Sequence, residues 1–383
     1  MNRNSLPLIT DRNDLRGKRV LVRASLDVPL EDGKVLNFFR VMRAIPTLLY
    51  LSNAGARVVV VAHIGREPDM SLLPVFEVLK EHLPVTWVSS VVGNEVEHAV
   101  NNMQDGDVVL LENLRSEPEE VANDEEFAKT LASYADIYVN DAFANSHREH
   151  ASMVGVPRFL QGYFGITFQE EYSNLVTAMD PVSPSLFILG GAKFETKEPL
   201  IEKYINRYDH VFVGGALAND FFKAQGHEVG ESLVSEESIG GSELVGHKKL
   251  LLPIDVTVQS ENGVRVTKPE DVQKGESIHD AGPETVRMLT DYVQSASTIL
   301  WNGPIGYYEH GFARETEELA RVVAESNARS IVGGGDTVAA IESLGLNDKF
   351  SFVSSAGGAM LTFLECATLP AIEAVLASQT NRN

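Results

Sequence analysis

The chain has 383 residues, 44% of them apolar, and its 54 acidic against 32 basic side chains give a formal charge of −22. Such a length favours two or three domains with sizeable cores, and the acidity excludes nonspecific attraction to nucleic acid or an anionic membrane, so a bound anion must be held by a local cluster. A single cysteine, Cys366, excludes an intramolecular disulfide.

The opening stretch, MNRNSLPLITDRND, lacks the apolar core of a signal peptide, and no run approaches the roughly 18 apolar residues of a membrane span, so a soluble, cytoplasmic protein is expected. Short β-branched runs then alternate with helix-like stretches. KRVLVRA, ARVVVVAH, DVVLLEN and ADIYVND stand in the first half; SLFILGG, DHVFVGG, STILWNG, RSIVGGG and FSFVSS stand in the second. Apolar strands separated by amphipathic helices predict α/β architecture, with two parallel sheets covered on both faces. FQEEYSNLVTAMD, 168–180, followed by PVSP, reads as a connecting helix and linker, with a hinge expected around 165–185. Within the insertion-like segment 228–277, Asn262 and Gly263 of TVQSENGVRVT predict a structural hairpin.

In open α/β sheets, ligands bind beyond the carboxyl ends of strands. There the two halves differ. Arg23, His63 with Arg66, Arg115, and His147 with Arg148 follow the early runs, and Arg40 precedes a predicted helix. GGAKFETK, GGALAN, NGPIGYYE, GGGDT and SSAGGA follow the later ones. Arginine forks suit carboxylate and phosphate oxygens, whereas glycine turns let backbone donors approach a polyphosphate. A phosphoryl donor and acceptor on separate domains is the simplest explanation.

Each piece alone leaves a plainer alternative open. GGGDT is either a phosphate turn with Asp336 near a Mg²⁺ ion, or a tight turn with Asp336 as helix N-cap. Lys193 and Lys197 lie one helical turn apart if a helix begins near Phe194, and otherwise form a solvated pair. Glu309, ending NGPIGYYE, is placed to accept from ribose hydroxyls, or closes a loop. HREH, 147–150, lacks the further ligands a metal needs, so anion binding is favoured there.

Taken in order, GRE at 65–67, LLENLR at 110–115, YVNDAFANSHREHAS at 138–152, GGAKFETK, LANDFFKAQGHEVGESL at 217–233, WNGPIGYYE and GGGDT closely resemble phosphoglycerate kinase. The resemblance implies two Rossmann-like domains joined by a hinge: residues 1–168 with about 366–383 binding phosphoglycerate, and 169–365 binding MgADP or MgATP. It also implies a monomeric glycolytic enzyme acting on small molecules. Arg40, Lys193, Gly335 and Gly358 then carry catalysis. Ser25, Asp27, Arg40, His63, Arg66, Arg115 and Arg148 bind substrate. Lys197, Gly215, Asn302, Pro304, Glu309, Gly334, Gly335, Asp336 and Thr337 bind nucleotide, with Gly357 as a further backbone donor and Asp336 linked to Mg²⁺.

The sequence also departs from the family. VLVRASLDVPL, 20–30, has Ser25 where an aspartate contacts the substrate hydroxyl and Asp27 where an asparagine is usual. If the strand continues, positions 25 and 27 share a face and Asp27 partly replaces the missing acid. Glu67, Ser116, Glu170, Glu195 and the SSAGG turn are milder departures. Two other readings therefore stay open: a relative acting on another carboxylate, and a nucleotide-binding protein that has lost catalysis.

Overall fold

The computed structural model describes residues 6–192, 194, 197–236 and 242–380. The chain divides into two compact units, Met1–Ser173 with Cys366–Asn383, and Asn174–Glu365.

In the first unit, β1 (Arg19–Ala24), a short hairpin of β2 (Leu30–Glu31) and β3 (Lys34–Val35), β4 (Arg57–Val61), β5 (Val85–Trp87), β6 (Val108–Leu110), β7 (Ile137–Asp141) and β8 (Gln161–Phe164) follow one another. Apart from the hairpin they form one parallel sheet in the order β5-β6-β4-β1-β7-β8. Val58 to Val61 are fully buried without alternation, as a sheet covered on both faces requires. β5 and β8 lie outside the β-branched runs of the sequence: QGYF has no β-branched residue, and the strand within PVTWV is only three residues long.

The helix Ile166–Met179 starts where side chains meet its free N–H groups: Ile166 N–H donates to Thr47 Oγ1 at 3.0 Å and Phe168 N–H to Asp141 Oδ1 at 2.9 Å. Phe168 stacks on Phe164 at 4.3 Å. The division between the units falls within this helix. The last helix, Pro370–Thr380, packs on β8 of the first unit, where Gly162 N–H donates to Ser378 Oγ at 2.9 Å.

The second unit holds β9 (Ser185–Leu189), β10 (His210–Val213), β11 (Leu250–Leu251), β12 (Val256–Ser260), β13 (Gly263–Thr267), β14 (Ser277–Ala281), β15 (Thr298–Asn302), β16 (Arg329–Gly333) and β17 (Phe352–Val353). Its parallel sheet runs β11-β10-β9-β15-β16-β17, and β13-β12-β14 form a separate antiparallel sheet. The hairpin turns at Glu261 and Asn262, because Ser260 already pairs with Gly263; Gly263, at φ +108, belongs to the returning strand. Phe187, Tyr204, Tyr208 and Trp301 fill the core, and the two tyrosines lose no hydrogen bond by it. Tyr208 Oη donates to the Ala178 carbonyl at 2.7 Å and Tyr204 Oη to that of Leu364 at 3.0 Å.

Candidate active site

Five arginines of the first unit, Arg23, Arg40, Arg66, Arg115 and Arg148, gather near the carboxyl end of its sheet. Arg23 is within β1, not beyond it, and is fully buried. A buried guanidinium must have its donors met, and each of its three nitrogens has one acceptor. Nε donates to Ser152 Oγ at 2.9 Å, Nη1 to the Ala24 carbonyl at 2.5 Å and Nη2 to His63 Nδ1 at 2.8 Å. Ser152 in turn donates to the buried Glu120, through Oγ at 2.6 Å and through its backbone N–H at 2.8 Å. Burial raises the Glu120 carboxyl, against the pull of Arg23. Neither Glu120 nor Ser152 was singled out from sequence, since nothing in PEEV or HAS distinguishes a buried acid or hydroxyl from a surface one.

His63 is held neutral: burial pushes it down to about 3 despite Asp27 beside it. It therefore contributes a donor and an acceptor to the basic cluster, and no charge. Asp27 lies past the end of β1, where alternation of side-chain direction no longer applies, so the shared face expected for positions 25 and 27 does not exist. Burial would raise its carboxyl, but His63, the Gly65 N–H and Arg40 hold it at about 2. Arg40 is the second residue of the helix Phe39–Asn53, and its Nη1 donates to the Asp27 carbonyl at 2.6 Å.

Arg115 donates through Nη1 to the Gly65 carbonyl. Burial lowers its pKa, and Arg148 and Arg66 lower it further, which places these like charges within mutual influence. Arg66 is exposed. Several buried polar atoms here have no partner: Ser25 Oγ, His63 Nε2, His147 Nδ1 and Arg148 Nη1. Repelling cations beside unmet polar atoms are relieved by an anion.

The second unit has a cleft of about 450 Å³ whose lining includes Gly191, Gly215, Pro304, Tyr307, Glu309 and Asp336. Two kinds of glycine surround it. Gly190, Gly215 and Gly303 pack backbone on backbone: a Cβ on Gly190 would strike the Pro304 carbonyl, and one on Gly303 the Gly190 carbonyl. Gly335, Gly357 and Gly358 have nothing within 4 Å of where a Cβ would stand. Gly335 and Gly358 are the first residues of the helices Gly335–Ser343 and Gly358–Cys366, whose leading N–H groups are free of intrahelical partners.

Asp336 lies in the first turn of Gly335–Ser343; the N-cap is Gly334, with φ +102, so the alternative of an Asp336 cap fails. Burial raises the Asp336 carboxyl, and the nearby Glu309 raises it further. Two carboxylates sharing a cleft suit a hard cation. No group of three or more His, Cys, Asp or Glu side chains capable of holding a metal occurs among the described residues, so most ligands of a Mg²⁺ ion would be water and phosphate oxygens. That division is ordinary for Mg²⁺ carried by a nucleotide, and the residues present fit it.

Thr337 is buried with its Oγ1 unpartnered, and Asn302 is buried against Met360, its Nδ2 3.5 Å from the Met360 sulfur. Lys197 is the N-cap of the helix Glu198–Ile205, which begins four residues later than Phe194. The helical spacing expected of Lys193 and Lys197 runs through residues outside those described. Lys193 and Glu195 lie outside the described residues.

The family profile described as Phosphoglycerate kinase matches residues 9–367. A phosphoglycerate kinase of Dictyoglomus turgidum is 43% identical over 378 residues, covering 94% of this chain and 96% of that relative. One of Clostridium botulinum is 41% identical over 384 residues, with the same shares covered. Among solved structures, phosphoglycerate kinase from Coxiella burnetii is 36% identical with a TM-score of 0.83 over 97% of this chain and 99% of that one. The Pyrococcus horikoshii enzyme is 29% identical with a TM-score of 0.85, over 98% and 99%.

Proposed function

This chain belongs to the phosphoglycerate kinase family and catalyses phosphoryl transfer between 1,3-bisphosphoglycerate and ADP in glycolysis; from that premise we propose which side chains carry the reaction. Arg40, His63, Arg66, Arg115 and Arg148, with Ser25 and Asp27, bind the phosphoglycerate. Lys197, Gly215, Asn302, Pro304, Glu309, Gly334, Gly335, Asp336 and Thr337 hold the nucleotide. Arg40 and Lys193, with the backbone N–H groups of Gly335 and Gly358, neutralise charge on the phosphoryl group in flight.

In-line transfer to or from a carboxylate needs no covalent enzyme intermediate. It asks the protein to orient two oxygens and to match the charge spread over the phosphoryl oxygens. Arg40 is suited to this because its Nη1 is tied to the Asp27 carbonyl, which fixes the fork before substrate arrives. Gly335 and Gly358 leave their helix N-termini bare to an approaching phosphate. Bound Mg²⁺ would supply charge neutralisation on the nucleotide phosphates, and Asp336 would hold it, with Glu309 accepting from the ribose hydroxyls. Neither of the other two readings of the sequence gains support from these relatives.

The observation carrying these assignments is the division of charge: an arginine cluster with unmet buried polar atoms on one unit, and a glycine-walled cleft with two carboxylates on the other. We place the protein in the cytoplasm as a monomer that engages neither nucleic acid nor membrane, for which the charge of −22 is the support. Among the described residues no single helix is long and apolar enough to cross a membrane.

Titration calorimetry on an Arg148→Ala variant tests the division. Binding of 3-phosphoglycerate should weaken at least tenfold, about 1.4 kcal/mol, with MgADP binding unchanged. Loss of MgADP binding with phosphoglycerate binding intact would overturn it.

A further inference from the structure

We propose that Lys203 is a positioning residue for phosphoryl transfer: from one helix it holds the far end of another, the helix led by Gly358, and so fixes where that leading N–H group points. The inference rests on assigning the Gly358 N–H to the phosphoryl group in flight. It begins at the opposite end of the helix Gly358–Cys366, where the last carbonyls have no intrahelical donor. The residue that follows, Ala367, takes φ +61, a left-handed conformation that glycine adopts without the strain a Cβ brings. Side chains from elsewhere in the chain meet the carbonyls of this end.

Lys203 Nζ donates to the Leu364 carbonyl at 2.7 Å and to the Glu365 carbonyl at 2.6 Å, and the buried Tyr204 hydroxyl donates to that of Leu364 at 3.0 Å. Leu364 thus accepts twice, as a carbonyl with two lone pairs can. The ammonium also stands 5.8 Å from the centre of the Tyr204 ring. Its charge lies at the negative end of the helix dipole, and the positive end at Gly358 is left to face an anion. Both donors belong to the last turn of Glu198–Ile205.

The other ends of the two helices give this clamp its consequence. Glu198–Ile205 is preceded by Lys197, assigned to the nucleotide phosphates, about 9 Å of helical rise from Lys203. Leu364 stands at the same remove from Gly358. GAMLTFLEC has neither a proline nor an interior glycine at which to kink, so it shifts as a rod. Its first turn lies in the site: a Cβ on Gly333 would strike the Met360 sulfur, which is 3.5 Å from Asn302 Nδ2. The clamp therefore sets two phosphate ligands that are distant in sequence, Lys197 and the Gly358 N–H, at one spacing. Misplacement of the second weakens the transition state, whereas the bound nucleotide keeps its other ligands.

The test is Lys203→Met, which keeps an unbranched apolar stem and removes the donor. Steady-state kinetics and ¹⁵N–¹H spectra are recorded on it, on Gly358→Ala and on the double variant. In Lys203→Met, kcat should fall by about tenfold or more, with KM for MgATP and for 3-phosphoglycerate unchanged. The Gly358 amide signal should shift although it lies at the opposite end of its helix, and that of Gly335, which leads a different helix, should not. Because both substitutions act at one donor, their losses in kcat should combine to less than their product.

An unmoved Gly358 signal would overturn the proposal, as would losses that multiply, since Lys203 would then act elsewhere. A raised KM for MgATP with kcat unchanged would also overturn it, by showing a role in nucleotide binding alone. If Lys203→Met changes no kinetic constant, Gly358→Ala decides what failed: reduced turnover there leaves the phosphoryl assignment standing and rejects the clamp, whereas unchanged turnover rejects the assignment and the clamp with it. Should Lys203→Met not fold, Tyr204→Phe, which removes a donor to the same Leu364 carbonyl, is read in the same way.

Discussion

The Lys197 ammonium donates to the Gly190 carbonyl over 2.7 Å, inside the glycine turns that follow β9. Burial lowers this lysine to about 8, so it is charged at neutral pH and loses its proton just above. A polyphosphate favours the charged form. MgADP affinity should therefore fall as pH rises from 7 to 9, and Lys197→Ala should weaken binding at pH 7 and flatten that dependence. Titration calorimetry across this range checks both; a pH-independent wild type would remove Lys197 from the nucleotide site.

The two kinds of glycine predict opposite mutational signatures. Gly335→Ala and Gly358→Ala meet open space at helix N-termini, so stability should hold or rise by up to about 1 kcal/mol through the unfolded chain. Their added methyl groups stand where a phosphate is proposed to approach, and turnover should fall at least tenfold. Gly190→Ala and Gly303→Ala collide with backbone and should cost more than about 2 kcal/mol. Urea unfolding beside steady-state kinetics separates the pairs.

Much of this division was legible in sequence, for physical reasons. Strands buried on both faces announce themselves as unbroken runs such as RVVVV, and glycines at their ends mark where backbone crowds or bares itself. The kind of crowding was not legible: Gly190 and Gly335 look alike until Pro304 is seen against one and nothing against the other. Arg23 lies inside its strand and not after it, and its burial there depends on Ser152 and His63, distant in sequence, which accept from it beside the Ala24 carbonyl. The end of β1 at Ala24 likewise could not be read from ASLD, and with it went the expected shared face of Ser25 and Asp27.

Acid should find the first unit through His63. Its folded value, about 3, lies below the ordinary 6.5, so the stability it contributes is complete above 6.5 and is lost as pH falls from there toward 3. Asp27, at about 2 against 3.8, adds a further loss below 3.8. The stability advantage of the wild type over His63→Gln should therefore shrink between pH 7 and pH 4. An advantage that grows with acid, read from urea midpoints, would contradict a neutral His63.

Arg66 tests charge without structure. It is exposed, so Arg66→Ala should move stability by no more than about 0.5 kcal/mol. Affinity for 3-phosphoglycerate should nevertheless fall about tenfold, with stronger salt dependence in the wild type than in the variant.

The most direct measurement is a coupled assay with ATP, Mg²⁺ and 3-phosphoglycerate, run on the wild type beside Arg40→Ala. The assignments predict turnover in the wild type and its near-complete loss in the variant, with MgADP binding retained by both. A folded, nucleotide-binding wild type without turnover, or an Arg40→Ala enzyme as fast as its parent, would contradict them.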